Sequence, residues 1–396
     1  MPDQMVESVL RADIMAGRNM LRLPKIAPKR GVFLMVENSN TELNNLMKRA
    51  FRLAEKGRGY TSPNPPVGAI IYKDGEIISS GYHRKAGLPH AEIEALEKAG
   101  DRARGATLVV TLEPCCHHGK TPPCADALIA AGIANVVSAT CDPNPIVCGN
   151  GYSALRGAGV EIIDGVLKNF ADDFYRPYFK FIATGLPFVT LKYAQSLDGR
   201  IATATGHSQW ISSHESLVYS HRLRAISDAI LIGGGTLRQD NPKLTTRLVK
   251  GKNPIRVVLS ESGDFPLDRD IFTDGQSPTY IATSSSFVRN TSDPYQVMHL
   301  QNGGKGLDLN DLLRQLGQMG VMTILVEGGA SVLTSFLRQK LADKIVVCVA
   351  PILIGRGIEA VGDLAIEMLD NALRLEGVET EKSGPDFIFS GYPVWR

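Results

Sequence analysis

Two short segments, PHAEIEAL (residues 89–96) and TLEPCCHHGKTPPC (residues 111–124), constrain this chain more than any other feature. They supply one imidazole, His90, two thiols, Cys115 and Cys124, and a carboxylate, Glu92, two residues beyond the histidine. A fold that brings the three soft or borderline donors to one point can hold zinc by three protein ligands. The fourth tetrahedral position is then left to water, which is the pattern of a catalytic zinc site; a structural one closes the shell. Zinc suits the set because it favours thiolate and imidazole and no redox chemistry is needed. Each residue alone has a blander explanation, since a single cysteine is usually packing and a histidine at a helix start is usually a satisfied polar group. It is their order, with Glu92 after His90, that carries the metal reading. Glu92, free of ligand duty, is the candidate general base and acid. Cys116, His117 and His118 are rival ligands, but adjacent donors strain a tetrahedron. The two histidines are read as substrate contacts, and Cys141 and Cys148 as structural.

At 396 residues the chain exceeds one ordinary domain, and two or three are expected. A net charge of +2 and the lack of any lysine–arginine block argue for a small substrate and against nucleic acid. No apolar run is long enough to cross a bilayer. Six cysteines are too few for a disulfide scaffold in a chain this long, so a reducing, cytoplasmic compartment is expected. Residues 1–40 mix Arg11, Arg18, Arg22 and Lys25 with Asp3, Glu7 and Asp13. A basic organellar presequence is normally poor in acids, and the segment reads as a flexible extension.

From residue 41 the pattern is regular. TELNNLMKRAFRLAEKG has apolar residues at helical spacing, and PNPPVGAIIYKDGEIISSGYH reads as two strands about a Lys-Asp-Gly turn. Pro89 opens a helix that ends at Gly100. Strand ATLVVTLE, helix CADALIAAG, strand NVVSAT, helix GYSALRGAG and strand VEIIDGV complete an α/β layered domain over 41–183. Thr184-Gly185-Leu186-Pro187 reads as a linker. A second α/β series, 187–396, follows with strands FVTLKYAQS, DAILIGGGT, PIRVVLS, PTYIATS, TILVEGG and DKIVVCVAPILI. Its helices are SHESLVYSHRLRAIS, DLNDLLRQLGQMG and ASVLTSFLRQK.

His-x-Glu upstream of Pro-Cys…Cys is the signature of hydrolytic deaminases acting on nucleobases and related rings. Their usual cysteine spacing has two intervening residues; here eight intervene. TSPNPPVGAII (61–71), HAE, TLEPC-x-HHG-TPPC and DPNP-x-V-x-GNG (142–151) resemble the deaminase half of the bifunctional riboflavin-biosynthesis deaminase–reductase family. Cys116 departs from that family's pattern, where serine is common. The resemblance implies a cytidine-deaminase-like zinc domain with His90, Cys115 and Cys124 on zinc, Glu92 as proton carrier and Asn64 in a substrate-binding loop.

The second half has no Gly-x-Gly-x-x-Gly after its first strand, which removes the usual dinucleotide fingerprint. Its glycine turns lie in ILIGGGT (230–236) and TILVEGGASVLTSF (323–336). In the latter a strand ends at Glu327 and a helix opens near Ala330, a form that lets backbone N–H groups approach phosphate. AQSLDGRIAT (194–203), SQWIS (208–212), RAISDAILIGGGT-x-x-x-DNP-x-LTTR (224–247) and VEGG resemble the reductase half of the same family. That resemblance implies a dihydrofolate-reductase-like fold and NADPH as cofactor. Ala194, Trp210, Thr236, Asp240 and the run Gly329, Ala330, Ser331, Val332, Leu333, Thr334 and Ser335 would line the NADPH site. Ser208, Arg224, Leu244, Arg247 and Glu327 would hold the substrate, a guanidinium fork being suited to a ribose 5-phosphate. Lys192 and Asp198 are candidates for the proton donor. The implied activities are hydrolytic deamination of a phosphorylated diaminopyrimidine and reduction of its ribosyl chain. The implied partners are that small molecule and, as a homo-oligomer, other copies of the chain.

Overall fold

The computed structural model describes residues 30–116, 122–263, 265–284, 293–301 and 306–395. His117 and His118, read as substrate contacts, lie outside the described residues. Residues 43–396 form one compact unit. The first helix, α1 (Arg30–Glu55), begins earlier than the expected residue 41. Its later turns bury Leu46, Met47, Ala50, Phe51 and Ala54, a stripe at helical spacing.

Strands β1 (Gly68–Lys73) and β2 (Glu76–Tyr82) form the expected hairpin. Both turn residues, Asp74 and Gly75, take positive φ, as a tight two-residue connection requires. Gly68 is dictated by contact: a Cβ there would lie 2.0 Å from the Ala50 carbonyl of α1. Helix α2 (Ala91–Ala99) then leads to β3 (Thr107–Val110), α3 (Cys124–Ala130), β4 (Asn135–Ser138), α4 (Asn150–Gly157) and β5 (Glu161–Ile163). The sheet order is β2-β1-β3-β4-β5, with β3, β4 and β5 parallel. Hydrophobic clusters fill both faces, one under α2 and α3 and the other under α1.

No element is expected from the sequence between Val166 and the linker, yet α5 (Lys168–Thr184) spans it. Its run of Phe and Tyr and its internal Pro177 have poor intrinsic helix propensity. Packing decides the matter: Ala171, Tyr175 and Tyr178 are buried, with the Tyr175 hydroxyl bonded to Thr111 Oγ1 at 2.6 Å and donating to Pro66 O at 3.0 Å. Gly185, with φ of 69°, ends the helix where the linker was expected.

The second sheet contains β6 (Phe188–Ser196), β8 (Ala229–Gly233), β9 (Ile255–Leu259), β10 (Thr279–Ser284), β11 (Gln296–Leu300), β12 (Thr323–Val326), β13 (Lys344–Ala350), β15 (Arg374–Ser383) and β16 (Asp386–Val394). Its order is β11-β10-β9-β8-β12-β6-β13-β16-β15, parallel as far as β13 and antiparallel in the last two strands. Short β7 (Arg200–Thr203) and β14 (Gly357–Glu359) pair separately. The helices are α6 (His214–Ile226), α7 (Gly234–Asp240), α8 (Asp270–Thr273), α9 (Leu309–Gln318) and α10 (Ala330–Arg338). Of these elements β7, α7, α8, β11, β14, β15 and β16 were not foreseen. In β15 nine of ten residues are exposed, so no apolar alternation marks it, and pairing with β16 alone makes it a strand.

The halves touch through named contacts. Lys180 of α5 pairs with Asp343, which also accepts from Val189 N–H at 2.7 Å, and the Tyr392 hydroxyl donates to Asp173 at 2.6 Å. Met322 of the second half completes the cluster under α1 and α5.

Candidate active sites

In the first half, parallel β3 and β4 end at one edge of the sheet, where open α/β sheets bind their ligands. The chain leaving β3 delivers Cys115. His90 is the N-cap residue of α2, and Cys124 is the first residue of α3. His90 Nδ1 lies 3.2 Å from Cys124 Sγ and 3.5 Å from Cys115 Sγ, and the three donor atoms lie within 4.8 Å of one another. The set is a three-donor face of the size and softness zinc requires, so the residues fit the metal. Cys116 turns away and donates to Ile146 O at 3.6 Å. The hydrogen bond with Cys124, aided by His90, draws the Cys115 thiol down to about 4, whereas the same contact pushes Cys124 well up. Zinc binds thiolates, so a dication here would displace the thiol protons.

Glu92, on the first turn of α2, is 4% exposed, and its Oε2 is buried without a hydrogen-bond partner. Burial first, then the neighbouring Cys115, pushes the carboxyl up to about 7. A buried carboxylate with an unused oxygen is costly unless something comes to it. His90, Glu92 and Cys115 open onto a cavity of about 500 Å³ that Asn64 also lines.

Two residues that sequence reasoning did not single out build this cavity. His83, 2% exposed, approaches the Asn64 amide at 3.4 Å and the Pro89 carbonyl at 3.1 Å. Glu113 accepts from Cys141 Sγ (2.8 Å) and from the N–H groups of Asp142 (3.3 Å), Gly149 (3.1 Å) and Tyr152 (3.2 Å). It thereby fastens the 142–151 segment beside the strand that delivers Cys115. Gly151 is required there because a Cβ would lie 2.1 Å from the Pro114 carbonyl. The Glu of TLEPC was a visible signal for this role; for His83 there was none.

In the second half, the strand ends of β6, β8 and β12 and the helices α6 and α7 enclose a cavity of about 410 Å³. It is lined by Ala194, Trp210, Thr236 and Asp240 from the expected NADPH set, and by Ser208, Arg224, Leu244, Arg247 and Glu327 from the expected substrate set. Gly328 and Gly329 bring α10 against the Gly233–Gly235 turn, where a second cavity of about 440 Å³ takes in Ser331, Val332 and Ser335. Gly329 caps α10 without a side-chain hydrogen bond, which leaves the helix N–H groups for an anion. Glycine turns, a bare helix start and two adjoining cavities fit a dinucleotide. The side chains of Leu333 and Thr334 do not line either cavity: Leu333 is fully buried in the core, and Thr334 Oγ1 donates to Ala330 O and accepts from Gly362 N–H. Ala330 likewise lines neither cavity.

The two arginines differ. Arg224 donates from Nε and Nη2 to Glu327 at 2.9 and 2.7 Å and from Nη1 to Thr245 O at 3.2 Å. Burial works to raise the Glu327 carboxyl, but Arg224, with Lys192 and His221, outweighs it and holds it at about 2. Arg247 is exposed and forms no hydrogen bond or ion pair among the described residues. Of the two proton-donor candidates, Lys192 is buried and lines the cavity. Asp198 does not line it; it is held in a turn by Ser196 Oγ and the N–H groups of Ile354 and Gly355. His221, 2% exposed in the same cavity, was not foreseen, although it stands one helical turn before Arg224.

Residues 40–140 match the family model of the cytidine and deoxycytidylate deaminase zinc-binding region, and residues 187–389 match that of the RibD C-terminal domain. The riboflavin biosynthesis protein RibD of Aquifex aeolicus is 43% identical over 348 residues, 87% of this chain and 96% of that one. RibD of Escherichia coli is 40% identical over 355 residues, 86% and 96% of the two chains. The crystal structure of a diaminohydroxyphosphoribosylaminopyrimidine deaminase/5-amino-6-(5-phosphoribosylamino)uracil reductase from Thermotoga maritima superposes with a TM-score of 0.79 at 36% identity, covering 90% of this chain and 100% of that one. Among the described residues, no helix is long and apolar enough to cross a membrane.

Proposed function

The chain belongs to the RibD family of bifunctional riboflavin-biosynthesis deaminase–reductases, and from that premise we propose a substrate and a role for each site residue. The first half, a cytidine-deaminase-like zinc domain, hydrolyses the 2-amino group of 2,5-diamino-6-ribosylamino-4(3H)-pyrimidinone 5′-phosphate. The second half, a dihydrofolate-reductase-like domain, then reduces the ribosyl chain of the product to ribityl, giving 5-amino-6-(5-phosphoribitylamino)uracil.

Zinc, when bound, supplies the Lewis acidity that makes water a nucleophile at neutral pH. His90 Nδ1 and the sulfurs of Cys115 and Cys124 hold it. Glu92 takes the proton of the attacking water and returns it to the ring nitrogen and the departing ammonia. Asn64 orients the pyrimidine across the cavity, with His83 behind its amide. The observation that carries this reading is the unpartnered Glu92 oxygen, buried beside the His/Cys/Cys cluster.

NADPH, when bound, supplies the hydride that reaches the sugar C1′. Ala194, Trp210, Thr236 and Asp240 hold one end of the cofactor, and the Gly329–Ser335 segment holds its phosphates at the start of α10. Arg247 grips the substrate 5-phosphate with donors it spends nowhere else. Arg224 and Glu327 close on each other, and together with Ser208 and Leu244 they shape the sugar site. Lys192 delivers the proton that completes reduction.

Six free thiols suit a cytoplasmic location. Exposed Val378, Phe387 and Phe389 on the last two strands suit a homo-oligomer, which light scattering on the purified protein would test. The decisive experiment for the activity is incubation of the zinc-loaded protein with the diaminopyrimidine phosphate, with and without NADPH. Ammonia should appear in both, and NADPH oxidation should follow deamination. Ammonia release from a tRNA but not from the free nucleotide would overturn the reading.

A further inference from the structure

The inner side of the segment that presents Arg247 is held from helix α6. Leu244 has left-handed backbone (φ 53°), and Leu244, Thr245 and Thr246 are buried, yet the Arg247 side chain emerges exposed at the cavity. On α6, His221 and Arg224 are one turn apart and so share a face. Arg224 donates to the Thr245 carbonyl. His221 Nδ1 accepts from Leu248 N–H, the residue that follows Arg247, at 3.4 Å. The imidazole therefore holds the chain just after Arg247, and Arg224 holds it just before. The outer side of the segment is fastened separately, by Thr246 N–H and Oγ1 to Asn253 Oδ1, both at 2.9 Å.

We propose that His221 is the positioning residue for Arg247, fixing the peptide that follows it so that the guanidinium meets the substrate phosphate. The inference rests on the reading of Arg247 as phosphate anchor. The chemistry explains the choice of residue. A flat side chain with an acceptor nitrogen is needed beside two guanidinium groups; lysine or arginine would add a third cation and no acceptor. Asn253 holds Thr246 independently of the imidazole, so the cost of removing it falls on the aim of Arg247.

The test uses the full chain with ribose 5-phosphate as probe in titration calorimetry, alongside steady-state NADPH oxidation. His221→Phe keeps the ring volume and removes both nitrogens. It should weaken ribose 5-phosphate binding about tenfold, and raise KM for the deaminated substrate by a similar factor while kcat stays within about twofold. His221→Asn, whose Oδ1 stands close to the place of Nδ1, should recover most of the loss. In an Arg247→Ala background, His221→Phe should add nothing further. Wild-type affinity in His221→Phe, an equal loss in the Arg247→Ala background, or a fall in kcat at constant KM would each overturn the proposal. If Arg247→Ala itself binds ribose 5-phosphate like wild type, the anchor reading fails, and the role of His221 falls with it.

Discussion

In the first half, Glu92, His90, Cys115 and Cys124 are brought together in a buried corner with too few protein partners. One carboxylate oxygen is left without a hydrogen bond, and the two thiols are driven in opposite directions, Cys115 down and Cys124 up. In the second half, the buried charges meet each other: Arg224 and Glu327 form a two-pronged pair with side chains only 12% and 13% exposed. Arg247 stands outside the pair, exposed and without an ion pair among the described residues. The deaminase corner gathers ligand-type groups around a carboxylate oxygen with no hydrogen bond, whereas the reductase cavity centres on a matched ion pair and sets exposed Arg247 beside it. A buried unpaired group is tolerated only where a ligand compensates it, while a matched pair organises its surroundings without help.

Breaking each plan should give effects of different size and kind. Glu92→Gln should retain zinc and lose deamination by roughly 10²–10⁴ in rate, because an amide cannot carry the proton. NADPH oxidation with pre-formed deaminated substrate should be unchanged. Near wild-type ammonia release would end the role given to Glu92.

Cys124→Ser should cost more zinc affinity than the roughly 10–100-fold typical of outer-shell changes, since it removes a ligand outright. Cys116→Ser should leave metal content where it was. Metal analysis of the two variants after dialysis decides the assignment, and equal losses would refute it.

Arg224→Ala leaves Glu327 as an uncompensated buried charge and should destabilise the protein by about 3–5 kcal/mol in denaturant unfolding. The pH dependence has a definite sign. The folded Glu327 carboxyl sits near 2 against an ordinary 4.5, so its contribution is complete above about 4.5 and is lost as pH falls toward 2. The variant should lack that acid-side loss. Equal stability curves for the two proteins between pH 5 and about 2 would show that the pair does not act this way.

Arg247→Ala should have the smallest effect on the molecule and the most local one on function. A charge-assisted contact of about 1.5–3 kcal/mol implies a KM for the NADPH-dependent step raised by roughly ten- to a hundredfold. Stability, zinc content and deaminase kinetics should not move. A parallel fall in deamination would mean that the two sites are not independent.

His90, Glu92, Cys115 and Cys124 were legible in the sequence because their chemistry is dense. Few arrangements place an imidazole, a carboxylate and two thiols so close in the chain without a metal to bind. The Asp74–Gly75 hairpin, the Gly100 stop and the Gly185 linker were legible for a similar reason, since each is a local backbone demand that few residues meet. Tertiary contact decided the rest. The helix α5 exists because its tyrosines find a core, and β15 exists because β16 lies beside it; neither carries a periodic signal of its own. In the reductase cavity, the sequence placed Arg224 and Arg247 side by side as equal substrate contacts. Only the fold separated a guanidinium locked onto Glu327 from one left open, and only the fold brought His221 to the peptide around Arg247. Local conformation and ligand chemistry are properties of neighbouring residues, whereas the pairing of charges depends on which strand end meets which helix face.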